Sequence, residues 1–204
     1  MQHNRITPSR RALVIAIVVV VIVLTASSLF LWKRTGVSNL REFSTEQVVI
    51  FEGEGLSLPA AISGPGNIRI VHFWDPGCRS CNKETDAHLN YLIGMYRSAG
   101  IDFYSVQKPG TTGELAPFLQ GKLTPLETIQ GIETLPASPA MAIWDRDGNL
   151  AYAGPYSEGL ICNSSNSFVE PIIDALIAGR KVTPKGFLAV GCYCPWGEGS
   201  MVGS

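Results

Sequence analysis

The chain lacks the features of several common protein classes. Only 16% of its 204 residues are charged and 46% are hydrophobic. These values exclude a disordered chain, because disorder requires low hydrophobicity and high net charge. The formal net charge is −1, and no basic cluster lies in a foldable segment, so we expect no binding to nucleic acid. The sequence also contains no internal repeat.

Acidic residues are missing from residues 1–41, which carry six Lys or Arg. Residues 42–204 carry seventeen Asp or Glu and ten Lys or Arg, so the remainder of the chain is acidic. The basic part contains a run of 21 uncharged residues, Ala12 to Trp32. A helix needs about 20 apolar residues to cross the hydrocarbon core of a membrane. We therefore predict one transmembrane helix over residues 12–32.

The charges that flank this run indicate its orientation. Three arginines precede it, and the basic residues after it are diluted by Glu42 and Glu46. Positive flanks favour the cytoplasm, so residues 1–11 are predicted to be cytoplasmic and the C-terminal domain to face the periplasm from the inner (cytoplasmic) membrane. A cleavable signal peptide is the alternative, because residues 25–28 are small. The apolar run continues beyond them through Leu29 to Trp32, which favours an uncleaved anchor.

A polar linker, residues 33–46, precedes a body that we assign to residues 47–185. Apolar runs predict strands in this body, and the run at 68–74 is typical of a central strand buried on both faces. Residues 89–96 have helical spacing, with Gly100 as the stop. Hairpin and capping signals are present at Asp147-Gly148 and at Ser167/Glu170. The predicted strands are 47–51, 68–74, 101–106, 140–144 and 150–153, and the other predicted helices are Glu114–Leu119 and one that begins near Ser167.

The most informative motif is Cys78-Arg79-Ser80-Cys81, which follows the buried strand and begins a helix. Two cysteines three residues apart on a first helical turn can close a disulfide. The free N–H groups and the positive end of the helix dipole stabilise a thiolate at Cys78, which is the nucleophile in thiol–disulfide exchange. Cys78 is therefore the predicted attacking residue, and Cys81 the residue that resolves the mixed disulfide.

Metal binding and an inert structural disulfide are the alternatives for this pair. A zinc site usually needs a second cysteine pair or two histidines at suitable spacing. The three histidines are His3, His72 and His88; His3 is predicted to lie across the membrane, and His72 lies in the predicted core strand. We interpret His72 as a core residue rather than a base, and we favour redox chemistry for Cys78 and Cys81.

The chain resembles the thioredoxin-like superfamily, in particular the TlpA-like membrane-anchored thiol–disulfide oxidoreductases, over about residues 47–181. Two segments carry the resemblance. Phe73-Trp74-Asp75-Pro76-Gly77-Cys78-Arg79-Ser80-Cys81 is similar to that family's F-W-A-x-W-C-x-x-C. Ser138 to Gly148 is similar to its P-T-x-x-(apolar)-x-D-x-x-G segment. The resemblance implies a thioredoxin-like α/β fold, a central mixed sheet flanked by helices, behind one N-terminal transmembrane helix.

The resemblance also implies roles for single residues. Pro139 falls on the family's cis-proline, whose loop packs against the C-x-x-C. Glu84 matches a family glutamate and would accept a proton near Cys81. Trp74 would form a wall beside the disulfide, and Trp74 and Ser138 are the candidate substrate-binding residues.

Three residues depart from the family pattern. Asp75 stands where a small residue is usual, Gly77 replaces a tryptophan, and Asp86 stands where a proline is common. A carboxylate raises the pKa of a nearby thiol, so Asp75 opposes the effects of Arg79 and the helix dipole. The direction of electron flow, reductant or oxidant, therefore stays open.

A second set of cysteines consists of Cys162 and the pair Cys192 and Cys194 in the segment 186–204. The chain resembles an uncharacterised subgroup of thioredoxin-like proteins that end in a C-x-C tail. Cysteines of exported proteins tend to be paired, and five cysteines leave one over. We favour a disulfide from Cys162 to Cys192 or Cys194 that fastens the tail. The alternatives are a strained Cys192–Cys194 bond that acts as a second redox centre, and metal binding.

These observations predict a membrane-anchored thiol–disulfide oxidoreductase that exchanges electrons with protein cysteines through a Cys78/Cys81 dithiol–disulfide cycle. Its expected partners are protein thiols or disulfides outside the cytoplasm, a membrane electron donor, and the membrane itself through one helix. We expect no cofactor and no metal. The alternative is a redox-inactive or metal-binding thioredoxin-fold adaptor at the membrane.

Overall fold

The computed structural model describes residues 19–25, 27, 47–52, 55–159 and 162–197. The chain divides into two units, Met1–Ser44 and Thr45–Ser204. In the first unit residues 19–25 and 27 are helical, and the rest of the predicted segment 12–32, with residues 1–11 and 33–46, lies outside the described residues. Among the residues described, no helix is both long and apolar enough to span a membrane.

The second unit alternates strands and helices along the chain. Three short 3-10 helices, Ala60–Ile62, Arg97–Ala99 and Ile132–Thr134, lie between the longer elements. The longer elements are β1 (Gln47–Phe51), β2 (Ile68–Trp74), α1 (Arg79–Tyr96), β3 (Ile101–Gln107), β4 (Thr124–Leu126), β5 (Ala137–Ser138), β6 (Ala140–Trp144), β7 (Leu150–Gly154), α2 (Val169–Ile177), β8 (Phe187–Gly191) and β9 (Cys194–Pro195).

Strand β2 is the centre of a five-stranded sheet of order β4-β3-β2-β6-β7. All seven of its residues are buried, as its almost continuous apolar sequence predicts, although two of them, Arg69 and His72, are polar. It pairs in parallel with β3 and antiparallel with β6, and β6 pairs antiparallel with β7. This mixed α/β arrangement fits the predicted thioredoxin-like class, and the strands predicted at 47–51 and 68–74 are confirmed with those bounds.

Each face of the sheet has its own hydrophobic core. On one face, helices α1 and α2 pack against alternate residues of β2, β3 and β6. The other face is covered by side chains of β1, β8 and the segment that follows β8. We expected helices to flank the sheet, but both α-helices described here contribute to the same core. The second face is instead covered by a two-stranded ribbon, β1 paired antiparallel with β8.

Helix α1 begins directly after Cys78, its N-cap residue, so both cysteines of the C-x-x-C lie at its first turn. Leu89, Leu92 and Ile93 bury its apolar face. The chain leaves the following 3-10 turn at Gly100, whose φ of 76° lies in the left-handed region that glycine adopts without a steric penalty. The predicted stop at Gly100 is therefore confirmed.

Two local predictions between β3 and β5 are wrong. Glu114–Leu119 is not a helix, and residues 117–122 form turns. Pro117 would lie inside such a helix, where it lacks the N–H that a helical hydrogen bond requires. Strand β4 was not predicted, because it is three residues long and contains Pro125. β4 is an edge strand, and an edge tolerates the missing donor of proline.

The boundary that we predicted at residue 185 is not a boundary in the structure. Residues 187–191 form β8 and pair with β1, and β9 pairs with β5 in the register Ser138 to Cys194 and Ala137 to Pro195. The described part of the tail is therefore integrated into the body. Its sequence gave no clear strand pattern, because its β-structure depends on partners that lie more than fifty residues away in the sequence.

Candidate active site

The turn between β2 and α1 is held by Asp75. Its Oδ1 accepts a hydrogen bond of 2.7 Å from the Gly77 amide. Its carbonyl oxygen accepts hydrogen bonds from the Cys78 amide, at 2.9 Å, and from the Asn82 side-chain amide, at 2.8 Å. These contacts fix the backbone on both sides of Cys78. Cys78 is thereby placed at the N-terminus of α1, where free N–H groups can stabilise a thiolate.

The cysteines are paired differently from our prediction. Cys78 forms a disulfide with Cys194, and Cys81 forms one with Cys192. The predicted Cys78–Cys81 bond and the predicted bond from Cys162 to the tail are therefore wrong for this form of the protein. The physical reason is the β5–β9 pairing, which brings the C-x-C segment across the first turn of α1, so that each helix cysteine meets one tail cysteine.

Cys162 is free and half buried. Its Sγ lies 3.7 Å from the Thr85 hydroxyl oxygen, and that hydroxyl also donates to the Cys81 carbonyl, at 3.1 Å. Cys162 also lines a small cavity together with Cys81, Cys192 and Glu84. The fifth cysteine thus lies near one of the two disulfides without being part of it.

Two aromatic side chains hold the tail independently of the disulfides. Tyr193 packs against Phe51 with ring centroids 5.9 Å apart, and Trp196 packs against Phe73 at 6.0 Å. Both are buried, and the Trp196 amide donates a 3.1 Å hydrogen bond to the Pro136 carbonyl. Burial of one such side chain contributes about 1.5–3 kcal/mol. The residues on either side of Cys194 are therefore anchored by packing as well as by covalent bonds.

The Ser138–Pro139 peptide bond is cis, at the position that the resemblance implied. The Ser138 carbonyl oxygen lies 3.7 Å from Cys78 Sγ, and Ser138 is the register partner of Cys194. Ser138 is fully buried, and its hydroxyl has no hydrogen-bond partner among the described residues. The structure thus places Ser138 and Pro139 beside the cysteines, as expected, and leaves a buried hydroxyl at the cluster.

Lys108 joins three parts of the site and was not predicted. Its Nζ lies 3.0 Å from Asp75 Oδ2 and donates a 2.8 Å hydrogen bond to the Pro195 carbonyl. Its own amide donates to the Trp74 carbonyl at 2.9 Å. One cation therefore partly offsets the Asp75 carboxylate that we expected to oppose a thiolate at Cys78. No local sequence pattern indicates this role, since Lys108 is thirty residues from Cys78.

A family model now identifies the chain, because the model for the domain of unknown function DUF6436 matches residues 47–196. The chain belongs to the DUF6436 family. The match includes the C-x-C segment and ends at Trp196, the buried residue that anchors the tail. No curated protein matches the sequence.

Several solved structures are similar to the DUF6436 domain. An uncharacterized conserved protein from Geobacillus kaustophilus is 19% identical, with a TM-score of 0.48, covering 76% of this chain and 93% of its own. DsbF from MTB is 17% identical, with a TM-score of 0.35, covering 55% and 82%. The thioredoxin domain of a thiol-disulfide oxidoreductase from Bacteroides vulgatus is 18% identical, with a TM-score of 0.32, covering 52% and 85%.

Below the cysteines, the DUF6436 domain buries a histidine–tyrosine–aspartate group. His72 is fully buried, and its Nδ1 is hydrogen-bonded to the Tyr156 hydroxyl at 2.8 Å. Burial raises the pKa of Tyr156 well above its ordinary value, so the hydroxyl keeps its proton. Burial lowers the pKa of His72 to about 3, so His72 is neutral near pH 7. Our interpretation of His72 as a core residue agrees with this burial.

Asp86 completes this group from α1. Its Oδ1 lies 3.9 Å from His72 Nε2, which has no hydrogen-bond partner among the described residues. Burial raises the pKa of Asp86 to about 6. Keeping Asp86 charged near neutral pH therefore costs the folded domain free energy. Asp86 lies about one and a half helical turns after Cys81 on α1.

The remaining predicted residues lie on two different cavities of the DUF6436 domain. Trp74 is buried and lines a cleft of about 800 Å³ together with Arg79 and Phe118. Glu84 is half buried and lines the small cavity beside Cys81 instead. Neither Cys78 nor Cys81 lines the large cleft. The candidate substrate-binding residue Trp74 and the candidate proton acceptor Glu84 are therefore on separate surfaces around the cysteines.

Proposed function

We propose that this protein is a thiol–disulfide oxidoreductase that exchanges electrons with protein cysteines outside the cytoplasm. The observation that carries the proposal is the linkage of the C-x-x-C to the C-x-C, Cys78 to Cys194 and Cys81 to Cys192. Two adjacent disulfides that share one helix N-terminus can exchange partners without large chain movements. The tail then serves as an internal exchange partner for Cys78 and Cys81.

Accessibility favours a first attack on the tail. Cys78 is 2% exposed and Cys81 6% exposed, whereas Cys192 and Cys194 are only half buried. A partner thiolate that attacks Cys194 Sγ forms a mixed disulfide and expels Cys78 as a thiolate. The N-terminus of α1 stabilises that thiolate, and a stabilised thiolate is a better leaving group.

The second step forms a Cys78–Cys81 disulfide, which is absent from the starting form. The Cys78 thiolate attacks Cys81 Sγ, which breaks the Cys81–Cys192 bond and releases Cys192 as a thiolate that takes up a proton. A second thiol of the partner then releases Cys194 as a thiol. Over these steps, one partner dithiol is oxidised to a disulfide, and one of the two protein disulfides is reduced. The two electrons and two protons are held by Cys192 and Cys194, which end as thiols.

The fully reduced protein reduces a partner disulfide. The Cys78 thiolate attacks one partner sulfur, forms a mixed disulfide and expels the other partner sulfur as a thiolate. Cys194 or Cys81 then attacks Cys78 Sγ, which forms a protein disulfide and releases the second partner thiolate.

A trapping experiment tests the role of Cys78. In a reduced Cys81→Ser/Cys192→Ser/Cys194→Ser variant, Cys78 keeps its position, but every predicted resolving thiol has been removed. We expect this variant to accumulate mixed disulfides with partner proteins, seen as reducible high-mass bands on non-reducing gels. A Cys81→Ser variant alone is expected to trap much less, because Cys194 remains to release the partner.

The matched control adds Cys78→Ser to the same triple variant, which leaves Cys162 as its only cysteine. We expect the control to form no mixed disulfides. Equal trapping in both variants would assign the chemistry to Cys162 and contradict the proposal. Absence of mixed disulfides in both variants would support the alternative of a redox-inactive adaptor.

We further propose that residues 12–32 anchor the protein in the inner membrane, with residue 33 onward in the periplasm. The supporting observations are the 21-residue uncharged run and the three arginines before it. A reporter enzyme that is active only outside the cytoplasm is expected to be active when it is fused after Ser204. Activity at that position of a reporter that works only in the cytoplasm would reverse the orientation.

A further inference from the structure

We propose that the four cysteines of the two disulfides form, when reduced, a tetrathiolate site for one thiophilic divalent cation of the Zn²⁺ class. The proposed ligands are Cys78, Cys81, Cys192 and Cys194. The Sγ atoms of Cys78, Cys81 and Cys194 all lie within 4.8 Å of one another. Cys192 is the covalent partner of Cys81 but is not among the sulfurs that lie this close to one another, so it joins the site by moving towards Cys78 and Cys194 after reduction.

The spacing of the sulfurs suits tetrahedral coordination. A Zn–S distance of about 2.3 Å requires neighbouring sulfurs about 3.8 Å apart in a tetrahedron. Reduction separates each bonded pair to a non-bonded distance of a similar size. Cys78, Cys81 and Cys194 therefore need only local adjustment, and Cys192 is the ligand that must approach. A site with four sulfur ligands selects Zn²⁺ over the oxygen-preferring cations Mg²⁺ and Ca²⁺.

The tail remains beside the helix after reduction, because packing also holds it. Tyr193 and Trp196 are buried on either side of Cys194, and the pairing of β9 with β5 does not involve the sulfurs. A cation therefore meets ligands that the fold has already brought together. Because the ligands are already close together, cation binding costs less conformational entropy of the chain than it would in an unfolded segment.

The surroundings match the charge of such a complex. Binding of one divalent cation by four thiols releases four protons and leaves a net charge of −2. The N-terminus of α1 favours that negative charge, and the Lys108 ammonium, hydrogen-bonded to the Pro195 carbonyl beside Cys194, partly offsets the opposing Asp75 carboxylate 3.0 Å from its Nζ. The buried Ser138 hydroxyl, which has no partner among the described residues, is available as a donor to a thiolate.

The test uses the full chain, reduced with a phosphine under anaerobic conditions and titrated with Co²⁺ as the spectroscopic probe. We expect one Co²⁺ per chain, with intense sulfur-to-cobalt charge-transfer absorption that Zn²⁺ abolishes by displacement. Loss of one ligand should weaken binding by more than about 100-fold, since changes outside the ligand set alone cost 10–100-fold. Cys192→Ser and Cys194→Ser should each have this effect.

Cys162→Ser is the matched control, since it removes a neighbouring cysteine that is not a proposed ligand, and it should leave the titration unchanged.

X-ray absorption on the Zn²⁺-loaded wild-type chain is independent of whether the variants fold, and we expect four sulfur ligands at about 2.3 Å. Absence of charge-transfer absorption, fewer than four sulfurs, or equal dependence on Cys162 would overturn the proposal. Exchange activity is measured on the oxidised, metal-free protein, so the proposed oxidoreductase function and the metal site can fail separately.

Discussion

Removing both tail disulfides is expected to lower the free energy of unfolding by about 7 kcal/mol, whereas removing either one lowers it by only about 2 kcal/mol. The bonds span 116 and 111 residues. The first crosslink closes a loop of more than a hundred residues, which restricts the unfolded chain by about 5 kcal/mol. The second closes a further ring of only about seven residues, which adds about 2 kcal/mol.

Urea denaturation of three serine variants measures this difference. Cys78→Ser/Cys194→Ser and Cys81→Ser/Cys192→Ser each retain one crosslink, and the quadruple variant retains none. A quadruple variant that is unfolded without urea agrees with the expectation, since about 7 kcal/mol is a large share of the 5–15 kcal/mol that stabilises a typical domain. A quadruple variant within about 2 kcal/mol of wild type would contradict the entropic account.

Asp86→Asn is expected to stabilise the protein at pH 8 by about 1–3 kcal/mol, with the gain disappearing near pH 4. Burial raises the pKa of Asp86 from 3.8 to about 6. The folded state is therefore penalised for the charged carboxylate above about pH 6, and this penalty decreases as the pH falls and Asp86 takes up a proton. Asparagine has a similar shape and no charge, so it removes the penalty at every pH.

As the pH falls from about 6 to 4, His72 lowers the stability of the folded protein, whereas Asp86 raises it. Burial lowers its pKa from 6.5 to about 3, so stability is lost as the pH falls below 6.5 and the unfolded chain gains a proton that the folded chain does not. In the wild type the gain from Asp86 offsets this loss between about pH 6 and pH 4. Thermal melts at several pH values should therefore show a steeper acid decline for Asp86→Asn than for wild type. Parallel pH profiles for the two proteins would contradict this assignment.

The elements that were predicted correctly have patterns that can be recognised within a short segment. Three such patterns depend only on neighbours in sequence: the five apolar residues of β2, the helical spacing of Leu89, Leu92 and Ile93, and the stop at Gly100. Ser167 was also a sound signal, since its hydroxyl accepts a hydrogen bond from the Glu170 amide at the start of α2. Strand β4 has no such pattern, because it is only three residues long and contains Pro125. Such a segment forms a strand only where it can pair at the edge of a sheet.

The position of the site along the chain could be predicted better than the long-range contacts between its residues. The order strand, turn and helix placed Cys78 and Cys81 at a helix N-terminus, and the second motif placed Pro139 near them. Lys108 and Tyr156 were missed because their roles come from contacts with residues 33 and 84 positions away, Asp75 and His72. No local pattern distinguishes such residues from ordinary surface or core positions.

Local patterns were sufficient to predict a mixed α/β domain with a pair of cysteines at the start of a helix, because strand and helix periodicity and the C-x-x-C spacing are properties of short segments. Which cysteines are bonded depends instead on the folded chain. Five cysteines permit many pairings, and their spacing does not choose among them. The choice follows from β9, whose pairing with β5 places Cys194 opposite Ser138 and next to Cys78. That contact joins parts of the chain 116 residues apart, so it depends on how the whole domain packs.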